Sequence, residues 1–267
     1  MHRVLRTEVF SAGTPTVSAE RCEGLPATTR PHAHDFVELA LVTAGRAVHV
    51  SAAGRRELAR GSAVLLAPGD WHGYEECHDL ALYNVYVDAR VLRRELAWLR
   101  PGPPSDRPPH LDEDAMALAE YCLPALAGDG PSHAVRIGLL LCALGDVLGT
   151  PPEERTTPHP AVLHAARLLE DRLADPWSVD RLASCVGLSG THLARLFTRQ
   201  LGTAPMAHLG RLRAERAAAL LLGTDLTVAA VGRRVGWPDP NYASRRFRRH
   251  FGLGPARYRE TFRPDAP

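Results

Sequence analysis

A repeat in the last hundred residues constrains the fold more than any other feature. VDRLASCVGLSGTHLARLFTRQLGTAP, residues 179–205, aligns with VAAVGRRVGWPDPNYASRRFRRHFGLGP, residues 228–255. Val179 matches Val228, Leu182 matches Val231, Val186 matches Val235 and Gly187 matches Gly236, all at an offset of 49. One inserted residue later the offset is 50, pairing Arg195 with Arg245, Phe197 with Phe247, Arg199 with Arg249, Gly202 with Gly252 and Pro205 with Pro255. A period of this size is one supersecondary unit used twice.

Each copy predicts a helix, a Gly-containing turn and a second helix, the helix-turn-helix pattern. Ser178 and Ser189 are N-cap candidates in the first copy, Thr227 and Asp239 in the second. Leu193, Phe197 and Leu201 lie four apart and form one apolar stripe, and Ala243, Phe247 and Phe251 form the other. The opposite faces carry Thr191, Arg195 and Arg199, and Asn241, Arg245 and Arg249. Such a helix suits the major groove, where Arg pairs with guanine and Asn with adenine through two bonds each. Arg246 and Arg248 would neutralise phosphates. Tyr242 joins the same face.

Charge supports this reading. The net charge is only +2, but residues 180–260 hold fourteen Arg against five acidic residues. The rest carries 18 basic and 25 acidic residues, so an acidic body is joined to a basic end that suits a polyanion. The five cysteines are scattered without a CxxC pair, as expected of reduced thiols in a cytoplasmic protein. The N-terminus has no apolar run of signal-peptide length, and IGLLLCALGDVLG is too short to span a bilayer.

The last hundred residues resemble the DNA-binding domain of the AraC/XylS family of bacterial transcription regulators. The residues that carry the resemblance are LASCVGLSGTHLARLFTRQLGTAP, the helical RLRAERAAALLL and VGWPDPNYASRRFRRHFGLGPARYR. Three positions depart from the family pattern: Gly232 replaces the usual Ala, Trp237 the usual Phe, and Ala243 an aromatic. The resemblance implies two helix-turn-helix units joined by a helix over about 206 to 222. Their second helices would enter successive major-groove segments ~34 Å apart. It also implies a homodimer supported by the middle helices, and a contact with RNA polymerase.

The first hundred residues read as strands. VELALVTAG, AVHVSAAG, SAVLLAPG and LALYNVYVD are short and apolar or alternating, with Gly, Pro and Asp between them. HAHDFVELALVTAG places His32, His34, Glu38 and Gly45 in the spacing HxH-x3-E-x6-G, which resembles the first cupin motif. GSAVLLAPGDWH, ending at His72, resembles the second. Residues two apart on a strand share a face, so His32, His34 and Glu38 could converge with His72. Three imidazoles and a carboxylate suit a divalent metal, and they also suit the hydroxyls of a polar ligand. In regulators of this family the barrel is usually a sensor pocket. HGYEECHDLALYNVYVD resembles the corresponding region of the rhamnose-responsive type through His72, Tyr74, Leu82, Asn84 and Val85, which implies a sugar-like effector. Whether Asn84 and Tyr86 or Val85 and Val87 face the pocket is open, and Trp71 and Trp98 could stack on a sugar ring.

The chain is expected to be α+β with two domains. A cupin-like effector-binding barrel would occupy 1–105, a helical linker and dimerisation segment 106–155, and a double helix-turn-helix DNA-binding domain 156–267. Proline-rich breaks at 100–110 and 150–160 separate them. The function read from this is a transcription regulator, not an enzyme, that senses a small polar effector. The effector site would be His32, His34, Glu38, His72, Tyr74 and Asn84. Two alternatives stay open: a cupin metal-binding protein or metalloenzyme with an accessory helical domain, and an architectural DNA-binding protein without an effector.

Overall fold

The computed structural model describes residues 17–88, 91, 109–128, 130–148 and 159–263. The described residues fall into two compact units, one within 1–150 and one within 151–263. Trp98, the first sixteen residues and most of both proline-rich breaks lie outside the described residues.

In the first unit six strands make one sheet: β1 (Val17–Cys22), β2 (His32–Ala33), β3 (Val37–Ser51), β4 (Gly54–Ala59), β5 (Ala63–Leu66) and β6 (Trp71–Val87). The long strands β3 and β6 pair antiparallel along almost their whole length. Each end of this pair has its own flanks. At Val37–Val42 the neighbours are β5 and β1, and near Val48–Ser51 they are β4 and β2. Between the two ends, register shifts at Val42/Ala44, Ala44/Arg46 and Arg46/Val48 mark bulges that bend the ladder. Gly45 sits at this bend with φ 71°, and a Cβ there would lie 2.2 Å from the Asp79 carbonyl oxygen. Only glycine satisfies both conditions.

Alternation then sorts the side chains into two cores. Val37, Leu39, Leu41, Tyr83, Val85 and Val87 pack on the outer side beneath two helices, α1 (Glu113–Ala127) and α2 (His133–Leu148). Val42, Ala47, Leu58, Tyr74, Leu80 and Leu82 form the inner core. Asp112 caps α1 through the Ala115 amide. The buried Arg136 on α2 donates to the carbonyls of Leu126, Gly128, Pro131 and Val17, which ties the turn between the helices to β1.

The second unit is all helical: α3 (Pro160–Asp171), α4 (Val179–Cys185), α5 (Gly190–Leu201), α6 (Pro205–Gly223), α7 (Val228–Arg234), α8 (Pro240–Phe251) and α9 (Pro255–Phe262). Pairs α4–α5 and α7–α8 are the two repeats. Their caps are Ser178, Ser189, Thr227 and Asp239, each accepting from the amide three residues on. Gly202 and Gly252 end α5 and α8 in the left-handed conformation. The connecting α6 buries residues around most of its circumference, as a helix covered on several sides must. Across α8 and α9 the aromatic rings of Phe247, Phe251, Tyr258 and Phe262 form a continuous cluster of tilted and edge-on contacts with centroids 4.7–5.4 Å apart. The family departures fit one another. A Cβ on Gly232 would meet the Trp237 carbonyl oxygen at 2.9 Å and the Ala243 Cβ at 3.3 Å, so the small pair lets α7 approach α8 beside the large indole.

Candidate effector site and DNA-binding face

Inside the bent sheet, β2, β3 and β6 bring a polar cluster together. His32 and His72 are Cα partners, with ring centroids 4.3 Å apart. Glu38 Oε1 lies 3.7 Å from His72 Nε2, and Glu38 Oε2 lies 3.4 Å from His34 Nε2. The His34 Nδ1 bonds the Phe36 carbonyl at 2.8 Å, and its ring stacks on Phe36. With Nδ1 as the donor, Nε2 presents a lone pair toward Glu38. Tyr74 closes another side, its ring centroid 5.7 Å from that of His72. Of the residues expected here, His34, Glu38, His72 and Tyr74 are buried, while His32 is half-buried.

The structure assigns the alternation along β6. Val85 and Val87 belong to the outer core, so Asn84 and Tyr86 face inward. Tyr86 donates to Glu20 at 3.1 Å. Asn84 donates to Cys22 Sγ at 3.9 Å. Trp71 precedes His72 on the strand, so its side chain leaves the other face. One member of the cluster was missed by sequence reasoning. His49, the Cα partner of Tyr74, is buried with its ring centroid 5.6 Å from that of His72. It is an odd position and Glu38 an even one, so unbroken alternation predicts opposite faces. The bulges between them restore a shared face.

Burial controls the charge of this cluster. It lowers His34 to a pKa of about 3 and His49 to about 4, and holds His72 well below the usual imidazole range. It raises Glu38 to about 8, and raises Tyr74 and Tyr86. At neutral pH the His34–Glu38 and His72–Glu38 approaches therefore join neutral groups, and they are not ion pairs. Several buried atoms have no hydrogen-bond partner among the described residues: His34 Nε2, Glu38 Oε1, His49 Nε2, both ring nitrogens of His72, Tyr74 OH and Asn84 Oδ1. Each such atom costs about 1–3 kcal/mol unless something else satisfies it. Those of His34, Glu38, His49, His72 and Tyr74 belong to one buried cluster.

The second surface lies on α5 and α8. Residues 191–200 and 241–250 share one exposure pattern, position by position. Thr191, Arg195, Arg199, Asn241, Tyr242, Arg245, Arg248 and Arg249 are exposed. Leu193, Phe197, Ala243, Phe247 and Phe251 are buried, and Leu201 is half-buried. Arg246 differs from its neighbours. It is half-buried, and its guanidinium reaches the backbone of α6 at Gly210. His192 is the exposed counterpart of Tyr242, and the offset of 50 could have found it. Not every arginine of the basic end faces outward. Arg213 donates to the Leu173 and Asp175 carbonyls, and Arg259 donates to those of Leu221 and Leu226. These two hold helix ends together. No helix among the described residues is long and apolar enough to cross a membrane.

Comparison with known proteins agrees with this division. Residues 24–145 match the AraC-like ligand binding domain, and residues 182–261 match a helix-turn-helix domain. The HTH-type transcriptional activator RhaS of Klebsiella pneumoniae is 29% identical over 267 residues, covering 95% of both chains. The Escherichia coli activator of the same name is 28% identical over 266 residues, with the same coverage. Among solved structures, ToxT from Vibrio cholerae matches 92% of this chain and 98% of its own with a TM-score of 0.52. At 10% identity that likeness concerns the fold alone. A ligand-binding sheet domain and a tandem helix-turn-helix on one chain mark a regulator and not an enzyme: the chain belongs to the AraC family of DNA-binding transcription regulators.

Proposed function

We propose that the sheet domain senses a small, hydroxyl-rich effector of the sugar class. Its binding shifts an equilibrium in how the helix-turn-helix units meet double-stranded DNA. The observation that carries the effector reading is the set of buried, unsatisfied polar atoms on His34, Glu38, His49, His72, Tyr74 and Asn84. A polyol supplies donors and acceptors in every direction, which neutral imidazoles, a protonated carboxyl, a phenol and an amide can all meet. The resemblance of residues 72–85 to rhamnose-responsive regulators, and the full-length similarity to the RhaS activators, support the same class.

On the DNA side, Arg195, Arg245 and Asn241 read base edges, with Thr191 and Tyr242 beside them. Arg199, Arg248 and Arg249 hold phosphates or base edges, and Arg246 contributes positive potential from its position against α6. A homodimer is supported by the exposed apolar side chains of the middle helices: Leu118 at 46%, Tyr121 at 81% and Val135 at 51% exposure. For a contact with RNA polymerase, the family resemblance is the support.

The test is the thermal melt of the full chain against sugars and sugar acids, followed by DNA binding with and without any hit. A ligand at 100 times its Kd adds about 2.7 kcal/mol to the folded state. A sugar that raises the melting temperature and changes DNA binding establishes the reading. If no polyol moves either, the effector is of another class.

A further inference from the structure

We propose that His32, Glu38, His72 and His49 form a site for one divalent transition-metal ion inside the sheet domain. One ligand atom from each of His32, Glu38 and His72 lies within 4.8 Å of the other two. A four-coordinate ion with bonds of about 2.0–2.2 Å holds its ligands roughly 3.3–3.6 Å apart, so side-chain adjustments of about an ångström close the set. Three further observations extend this triad. His49 stands beside His72 with its Nε2 buried and without a hydrogen-bond partner among the described residues. Both ring nitrogens of His72 are in the same condition. The four residues come from three strands whose backbone pairing fixes them: His32 faces His72 on β2–β6, and His49 faces Tyr74 on β3–β6.

His34 has a different place. Its Nε2 lies 3.4 Å from Glu38 Oε2, and its ring centroid is 5.7 Å from that of His72 and 6.5 Å from that of His32. Its bond to Phe36 and its stacking fix the ring, so it positions the Glu38 carboxyl. As the fourth ligand we take His49 instead of the His34 of the motif spacing, because the Phe36 contacts hold the His34 ring while the bulges in β3 turn His49 toward His72. Three imidazoles and one carboxylate select zinc, nickel, cobalt or ferrous iron over magnesium or calcium, which prefer all-oxygen shells. The ion would bind Glu38 as the carboxylate, displacing its proton, and would satisfy several of the buried nitrogens directly, so that with metal bound the effector would meet His34, Tyr74 and Asn84 instead of the full set. The proposal shares residues with the effector reading but does not depend on the effector's identity.

The experiment is a titration of tag-free, chelator-treated full-length protein with cobalt(II), read by its visible ligand-field absorption, with magnesium as control. The expected result is one cobalt per chain, displaced by zinc and unaffected by magnesium. Glu38→Gln and His49→Gln should each weaken cobalt binding at least ~10-fold while the circular-dichroism melt of the metal-free protein stays cooperative. His49→Gln separates this site from the motif-derived set, in which His49 has no part. A folded wild-type chain that gives no cobalt spectrum overturns the proposal, and so does unchanged binding in the His49→Gln variant. Cobalt binding without any sugar response would uphold the metal site and defeat the sugar reading, and the converse result would reverse both.

Discussion

Glu38 Oε1 and His72 Nε2 are 3.7 Å apart, although the strand pairing places their backbones at opposite ends of one ladder. Ser51, the Cα partner of His72, is thirteen residues along β3 from Glu38, roughly 43 Å in a flat strand. The sheet must therefore fold back on itself between them. That closure creates the polar interior.

The closure depends on Gly45. Gly45→Ala combines a positive φ with a Cβ placed 2.2 Å from the Asp79 carbonyl oxygen. The expected loss is about 3 kcal/mol of sheet-domain stability, from the left-handed conformation and the displaced backbone together. Chemical denaturation of the full chain measures it. A loss below about 1 kcal/mol would show that the bend does not need glycine.

Tyr74 OH is buried and unsatisfied among the described residues. Tyr74→Phe should leave the ligand-free protein as stable, or raise its stability by about 1 kcal/mol, because no bond is lost and a desolvated hydroxyl is removed. The same change should weaken the effector response. Melts with and without effector separate the two effects, and a destabilised ligand-free variant would mean the hydroxyl already has a partner.

Arg195 and Arg245 occupy equivalent exposed positions on α5 and α8. Arg195→Ala and Arg245→Ala should each weaken binding to a specific DNA site on the order of 10- to 100-fold, with little change in melting temperature. Arg199→Ala and Arg249→Ala, if they meet phosphates, should each lower the salt dependence of log K by about one unit. Gel-shift titrations over a salt series read both. Specific binding that survives the Arg195→Ala, Arg245→Ala double variant would remove these residues from the interface.

His250 adds a pH dependence to the helical unit. Burial, with Arg211 on α6 and Arg246 on α8 nearby, lowers its pKa from 6.5 to about 4. The unfolded chain takes up this proton before the folded one does, so stability rises with pH through this window and falls as acid is added below about pH 6.5. His250→Phe should reduce that loss by on the order of 2 kcal/mol at pH 4. The difference between the two proteins' pH–stability curves is the measurement. Parallel curves would show that His250 is already protonated in the folded state.

Much of this was legible in the sequence because it is local. Ser178, Ser189, Thr227 and Asp239 cap helices through bonds that reach three residues along the chain. The stripes through Phe197 and Phe247, and the exposed arginines opposite them, follow from the helical period. Tandem repetition then points to DNA, since two equivalent basic helices need an extended, periodic polyanion. The polar cluster was half legible. His32, His34, Glu38 and His72 could be named from spacing, because within a regular strand parity tells which residues share a face. Parity fails across a bulge. His49 was missed for that reason, and the inward turn of Asn84 and Tyr86 needed the outer core of Val85 and Val87 to decide it. The inward arginines, Arg213 and Arg259, were likewise invisible, since their partners are carbonyls more than thirty residues away. Sequence alone determined the helices, their caps and their charged faces, all set by short-range geometry. Only the tertiary structure decided which polar side chains meet inside the sheet, because that depends on where a bent ladder closes, and no local pattern encodes such a distance.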